Sequence, residues 1–297
     1  MQAISSYVVK ARELLRTHKA LRIACCVLLC LLVVFFLLFI VLHPHGEQTY
    51  LILGIDNYGS LDDNGRSDVM MLVHLDFDHS EIATVTFARD MFIENEHGTQ
   101  SKINTIVRNE DEEALVRALE QNFGLSIDGW FRVNFSSVVS IVDAMGGAEV
   151  TLTAEEARYI DNVAGAYPDS PLSEGTCRLN GAQALTYARC RKLDNDIGRG
   201  QRQSKLFEGL VQQTRQMNVF QLISVVKEMS HAWRSSLSAG EQASLVYKAL
   251  WLRGAQVTRL AVPFEGTWHY GNSQSGTSGI IINTEDNRQM LQEALYP

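Results

Sequence analysis

Tyr50 to Ile55 reads YLILGI and delivers Asp56; Val69 to Asp76 reads VMMLVHLD, and Glu81 to Phe87 reads EIATVTF. Short runs this rich in aliphatic and β-branched residues, separated by Gly, Asp, Asn and Ser, read as buried strands. Outward from them the period changes. Glu112 to Gln121 is a charged helical pattern, WFRVNF from Trp130 reads as a strand, and Ser136 to Met145 (SSVVSIVDAM) reads as a helix stopped by Gly146 and Gly147. Thr153 with Glu156 makes a capping box for TAEEARYI, and a further helix begins near Asn180 and Gly181 (NGAQALTYAR). A long amphipathic stretch runs from about Arg202 to Trp233. The strands VTRLAVP and GIIIN and a helix near Glu285 to Ala294 close the chain. Strands alternating with helices predict an α/β fold, and no repeat, Pro-rich linker or low-complexity stretch divides residues 50–297.

Ahead of this domain Ile23 to Leu42 (IACCVLLCLLVVFFLLFIVL) runs for 20 residues without a charge. A helix of that length spans roughly 30 Å, the thickness of a bilayer core. A cleaved signal peptide would have a shorter apolar stretch, of about 7 to 15 residues, ending in small residues. Lys10, Arg12, Arg16, Lys19 and Arg22 precede the run, and no Lys or Arg follows it until Arg66. The asymmetry predicts a cytoplasmic leader over 1–22, one transmembrane helix over 23–42, a short linker over 43–49 and an extracytoplasmic domain over 50–297. So short a tether would keep that domain close to the membrane surface.

The 297 residues carry 26 Lys plus Arg and 34 Asp plus Glu. Without the leader, 21 basic residues face 33 acidic ones, a formal charge of −12. General attraction to nucleic acid or another polyanion is thereby excluded, and any anion site must be local. Cys25, Cys26 and Cys30 lie in the apolar run, which leaves Cys177 and Cys190 outside it, either paired or as two reduced thiols. No His stands at metal-ligand spacing with them.

Four clusters combine acid and base. Leu53-Gly54-Ile55-Asp56 brings a carboxylate to the end of a buried strand, though an Asp opening a turn fits the same residues. Gly65-Arg66-Ser67-Asp68 brings an Arg and a second carboxylate to a loop before the next strand. Two carboxylates beside an Arg suit Mg²⁺ plus phosphate, and they also suit a surface ion pair. Phe87-Ala88-Arg89-Asp90 ends the third strand, where α/β sheets place ligands. Arg89 there would bind a phosphate while Asp90 orients it or accepts a proton; mutual pairing competes. Lys102-Ile103-Asn104 adds a polar loop.

The fourth cluster weighs most. Between Arg189 and Gln203 stand four Arg (Arg189, Arg191, Arg199 and Arg202), Lys192, Asp194 and Asp196. In so acidic a domain this knot of guanidinium groups predicts a local anion site, since their rigid forks match phosphate oxygens better than lysines do.

LGID, GRSD, the strand-end RD, RVNFSSVVSIVDAMGGAEV and LNGAQALTYARCRKLDNDIGRGQRQ together resemble the LytR-CpsA-Psr family of cell-wall ligases, in order and from about Tyr50 onward. The resemblance implies one α-β-α domain with a central mixed sheet flanked by helices, and an apolar groove for a polyprenyl tail. It implies Asp56 and Asp68 as Mg²⁺-associated carboxylates. Arg66, Arg89, Arg189, Arg191, Arg199 and Gln203 become pyrophosphate contacts, with Asp196 orienting the arginines and Arg89 and Asp90 carrying the chemistry. The implied reaction moves a glycan phosphate from a polyprenyl pyrophosphate carrier to peptidoglycan at the bacterial membrane, with Mg²⁺ as cofactor and no nucleic acid. A carrier pyrophosphatase and a non-catalytic wall-binding or regulatory module are the rival readings. This chain departs from the family pattern in having Ala88, where a Pro is usual, and Cys190 between two arginines.

Overall fold

The computed structural model describes residues 32, 43–56, 60–62, 65–164, 171–190, 192–193, 196–228, 231–273 and 276–296. The leader over 1–22 lies outside them, as does the apolar run over 23–42 apart from Leu32; among the described residues no helix is long and apolar enough to cross a membrane. Residues His45–Pro297 form one compact unit with its own cores.

Its centre is a six-stranded sheet of β1 (Glu47–Ile55), β2 (Ser67–Asp76), β3 (Glu81–Phe87), β6 (Gly129–Val133), β9 (Arg234–Ser235) and β10 (Gln256–Val262), in the order β10-β3-β2-β1-β6-β9. The β1–β2, β2–β3 and β6–β9 pairs are antiparallel, whereas β1–β6 and β3–β10 are parallel, so the sheet is mixed as expected. Three two-stranded ribbons surround it: β4 (Phe92–Glu94) with β5 (Gln100–Lys102), β7 (Ala148–Leu152) with β8 (Gly175–Leu179), and β11 (Trp268–Asn272) with β12 (Ser278–Ile282).

Helices cover both faces. The near-continuous apolar character of β1 follows, because alternate residues are buried on opposite sides. Leu51, Leu53 and Ile55 pack in one core with α1 (Ile103–Asn109), α2 (Glu112–Phe123) and the terminal α9 (Thr284–Leu295). Tyr50, with Ile52 against it, faces α6 (Asp196–Gln216) and α8 (Ala239–Ala249). A third core joins α3 (Phe135–Ala144), α4 (Ala154–Ala164) and α5 (Gly181–Arg189) to the β7–β8 ribbon and α6.

Local chemistry sets the helix ends. Asp111 accepts from the Ala114 amide at 2.7 Å to start α2, and Asn180 with Gln183 forms a reciprocal capping box on α5. The box between Thr153 and Glu156 is present on α4. The amphipathic stretch from Arg202 to Trp233 is divided between two helices, α6 and α7 (Val219–Glu228). Asn218 explains the break: its side chain accepts from the Gln221 amide at 2.9 Å while Gln221 Oε1 accepts from the Asn218 amide at 2.8 Å, which caps a new helix. Lys102 and Asn104, expected in a loop, instead end β5 and sit in the first turn of α1.

Candidate functional site

The carboxyl end of β1 and the start of β2 build the first wall. Their register passes from Gly54↔Val69 to Ile55↔Ser67, so Asp68 is the extra residue of a β-bulge and its side chain is re-aimed out of the ladder. Gly54 is required there: a Cβ on it would lie 2.8 Å from the Cβ of Val69. Asp56, half exposed, donates its amide to the Arg66 carbonyl at 3.2 Å, which brings the LGID and GRSD segments together as expected.

Behind Asp68 runs a row of alternating charge. Arg89 Nη1 donates to both Asp68 carboxylate oxygens, at 3.2 and 3.3 Å, and its Nε lies 3.3 Å from Asp90 Oδ2. Lys102 Nζ donates to Asp90 Oδ1 at 3.1 Å. Burial pushes the Asp90 carboxyl up, but the Lys102 hydrogen bond and the charges of Arg89, Lys102 and Arg199 outweigh it and hold the group below its ordinary range. Ala88 does not loosen this loop. Its amide donates to the Val262 carbonyl at 2.8 Å, a bond that a proline could not make, and the Asn104 amide donates to the Arg89 carbonyl at 3.3 Å.

The opposite wall comes from α5 and α6. Arg189 ends α5 with its guanidinium 3.9 Å above the Phe135 ring and 3.9 Å from Asp56 Oδ1, leaving it half exposed. Arg199 stands in the first turn of α6, 4% exposed, and donates to the Asp68 backbone carbonyl at 3.3 Å. Gly200 lets that turn approach β3, since a Cβ there would meet Thr86 Oγ1 at 2.9 Å. Gln203 donates to the Ala188 carbonyl at 3.3 Å and ties α6 to α5.

Asp56, Asp68, Arg189, Arg199 and Gln203 thus line one cleft of about 450 Å³, joined by Asn134, Phe135, Tyr159 and Thr186. Arg89 and Asp90 stand behind Asp68 and do not line it. Arg66 is exposed at the bulge. Arg191 and the side chain of Asp196 lie outside the described residues. Arg202 points elsewhere: it is 3% exposed, donates to the Cys190 carbonyl at 2.9 Å, and lies 3.7 Å from Glu156, so it staples α6 to the Cys190 loop and α4. Both cysteines are free. The Cys177 thiol donates to the Ser173 carbonyl, and the buried Cys190 thiol meets Tyr159, whose phenol is raised first by burial and then by that neighbour.

An apolar groove of about 330 Å³ adjoins the cleft. Gly54, Val69, Val138, Ala188 and Gln203 line both, and Met71, Phe131, Leu206 and Phe207 continue the apolar wall. Ile141 and Trp233 then carry the lining into a further apolar chamber of about 240 Å³.

Sequence reasoning left out Tyr159 and Phe135 and undervalued Lys102. Tyr159 carries no signal, since a Tyr on an amphipathic helix is ordinary. Phe135 follows the cap Asn134, which accepts from the Ser137 amide, so α3 starts beneath Arg189.

A sequence profile of the LytR_cpsA_psr family matches residues 37–293. The chain belongs to that family. Among family members it is 24% identical over 253 residues to the polyisoprenyl-teichoic acid–peptidoglycan teichoic acid transferase TagV of Bacillus subtilis, covering 82% of this chain and 64% of TagV. To TagU of Bacillus cereus, which bears the same transferase name, it is 32% identical over 164 residues, covering 54% of this chain and 50% of TagU. It therefore spans between half and two thirds of the length of these two relatives. The regulatory protein MsrR of Staphylococcus aureus is 24% identical over 84% of this chain and 75% of its own length. The fold matches TagT bound to LIIa-WTA with a TM-score of 0.69 at 20% identity, covering 84% of this chain and 89% of that one. It matches Bacillus subtilis TagV with a TM-score of 0.65 at 22% identity, over 85% and 98%.

Proposed function

We propose that this LytR-CpsA-Psr protein is a membrane-anchored, extracytoplasmic phosphotransferase that moves a glycan phosphate from a polyprenyl pyrophosphate carrier onto peptidoglycan. One observation carries the reading: a cationic cleft and an apolar groove share the wall made by Gly54, Val69, Val138, Ala188 and Gln203. Such a site suits an amphiphile with a small polyanionic head and a long hydrocarbon tail. The transferase names of TagV and TagU and the LIIa-WTA bound by TagT supply the substrate class and acceptor. The charge-free run Ile23–Leu42 supplies the anchor.

Arg189, Arg199 and Gln203 hold the pyrophosphate in the cleft, with Arg66, exposed at the bulge, and Arg191 as further contacts. Asp56 and Asp68 are hard oxygen donors on that same cleft and fit Mg²⁺, which takes one or two carboxylates and fills its shell with water and phosphate oxygens. Bound there, the ion would neutralise phosphate charge. In the reaction a peptidoglycan hydroxyl oxygen bonds to the glycan-bound phosphorus. The bond from that phosphorus to the bridging oxygen breaks, and polyprenyl phosphate leaves with the electron pair. A loose transition state asks little of a base. The hydroxyl proton passes to water, and Asp90, both of whose oxygens are engaged by Lys102 and Arg89, holds Arg89 against the Asp68 carboxylate from behind the cleft.

The test incubates the protein with Mg²⁺, a synthetic polyprenyl pyrophosphate glycan and peptidoglycan oligomers, and follows products by mass spectrometry. A glycan phosphate joined to the peptidoglycan fragment, lost in Arg189→Ala, is the expected result. Free glycan phosphate alone would replace the transferase with a carrier hydrolase. Binding without turnover would leave a wall-binding module.

A further inference from the structure

Helix α7 carries apolar residues on two opposed faces. Leu222, Val225 and Val226 turn inward and line the further apolar chamber, while Phe220 and Ile223, one turn apart, turn outward with 83% and 53% of their surfaces exposed. A single exposed apolar residue needs no account, but a Phe and an Ile side by side on a helix backed by an apolar chamber do.

The position of this face names what covers it. Arg215 Nη2 donates to the Ala255 carbonyl and Arg253 Nη2 to the Met217 carbonyl at 2.6 Å, so α7 starts beside the beginning of β10. Gln256 pairs with Glu81, Glu81 with Asp76 and Asp76 with Glu47, which puts the start of α7 at the sheet end where β1 begins. At that same end Lys248 of α8 donates to Gln48 at 3.1 Å. Four residues, 43–46, separate β1 from the end of the charge-free run at Leu42, a reach of at most about 14 Å. Arg215, Lys248 and Arg253 stand at that end together with Glu47, Asp76 and Glu81, so the surroundings of the helix are of mixed charge and its outward face is set apart by its apolar pair.

We propose that α7 is a bilayer-docking helix, with Phe220 and Ile223 set into the headgroup boundary of the membrane. This rests on the membrane-anchored reading above and adds a route to it. The apolar lining runs from the bilayer side of α7 through its chamber and past Ile141 and Trp233 to the charged cleft at the other end of β1, so a lipid tail enters without crossing water.

The full chain is reconstituted in phosphatidylglycerol-containing vesicles whose acyl chains carry bromine, and Phe220→Trp and Tyr270→Trp are each compared with the parent. Tyr270, 67% exposed on β11 near the cleft end, is the control. The added emission of Phe220→Trp should fall by roughly half or more, as for a side chain ~5–10 Å into the headgroup boundary, while that of Tyr270→Trp stays. The Phe220→Glu, Ile223→Glu variant should turn over a long-chain carrier in the same vesicles roughly tenfold more slowly and a water-soluble short-chain carrier as fast as the parent does. Unquenched Phe220→Trp emission with intact short-chain turnover overturns the docking and leaves the transferase standing. Protection of α7 from hydrogen exchange that rises with protein density in neutral detergent means a second copy covers this face, and also overturns it. Absence of short-chain turnover in the parent refutes the transferase reading, whereas the quenching still decides the docking.

Discussion

Arg202→Met should destabilise the domain strongly although Arg202 belongs to the same Arg-rich segment as the cleft residues. The arginine is 3% exposed and its Nη1 lies 3.7 Å from Glu156 Oε1, itself in a side chain only 9% exposed. Removing one partner of a buried ion pair strands the other and costs about 3–5 kcal/mol. Glu156 keeps one bond, from the Thr153 amide at 3.0 Å, which places the loss near the lower end, about 3 kcal/mol. For a domain of this size about 2–4 °C follows each kcal/mol, so the midpoint should drop by about 6–12 °C. Glu156→Gln removes the charge and keeps the acceptor of the capping box. The double variant Arg202→Met, Glu156→Gln should therefore recover about 2 kcal/mol of the single variant's loss. Urea melts of residues 45–297 complete the cycle. A loss below about 1 kcal/mol for Arg202→Met, or a double variant no better than the single, would refute the stapling role.

Arg199→Ala should behave in the opposite way. Two charge-assisted phosphate bonds at about 1.5–3 kcal/mol each predict a fall in kcat/KM of about 100-fold or more, read by steady-state kinetics, with a smaller change in melting. Lys102→Met bears on pH. Because Asp90 is held below its ordinary range, it contributes stability that is present above the unfolded carboxylate value and is lost as pH falls through the lowered one. Without Lys102 the lowering is smaller, so the stability lost on acidification should be smaller and its loss complete at a higher pH, in urea midpoints followed across the acid range. Removal of Mg²⁺ by a chelator should abolish turnover without moving the melting midpoint, and Mg²⁺ should restore it, as followed by product mass spectrometry beside thermal melts.

The strands were legible because β1, β2 and β3 are buried on both faces and so read as unbroken apolar runs. The helix starts at Asn180 and Thr153 were legible through their capping boxes. The break at Asn218 carried the same signal, Asn three residues before Gln, but the apolar periodicity on either side hid it. Asp56 was legible as a strand-end residue, whereas Asp68, read in a loop before the next strand, stands within β2 as its bulged residue. Which arginines face the cleft was not, because composition treats Arg189, Arg199 and Arg202 alike. Their placement follows from α6, where Arg199 and Arg202 sit three residues apart near its start; the packing of Gly200 on Thr86 turns the one toward Asp68, and the other reaches the Cys190 carbonyl. The tertiary contact that decides this lies more than a hundred residues away along the chain.

The bulge at Asp68 has a further consequence for selectivity. Gly54 and Val69, the pair on which the bulge turns, are also the wall common to the cleft and the groove. On the proposed reading a substrate is therefore gripped at the junction between its pyrophosphate and its first isoprene units, the part that every polyprenyl-linked glycan shares. Discrimination between glycans must then arise at the open side of the cleft, around Asp56 and Arg189, which are the half-exposed members of the set. Binding energy concentrated on the shared junction predicts similar affinity for carriers of different polymers, with differences confined to turnover. A chain built this way selects the carrier by fit and its cargo by how well the acceptor hydroxyl is aligned with phosphorus.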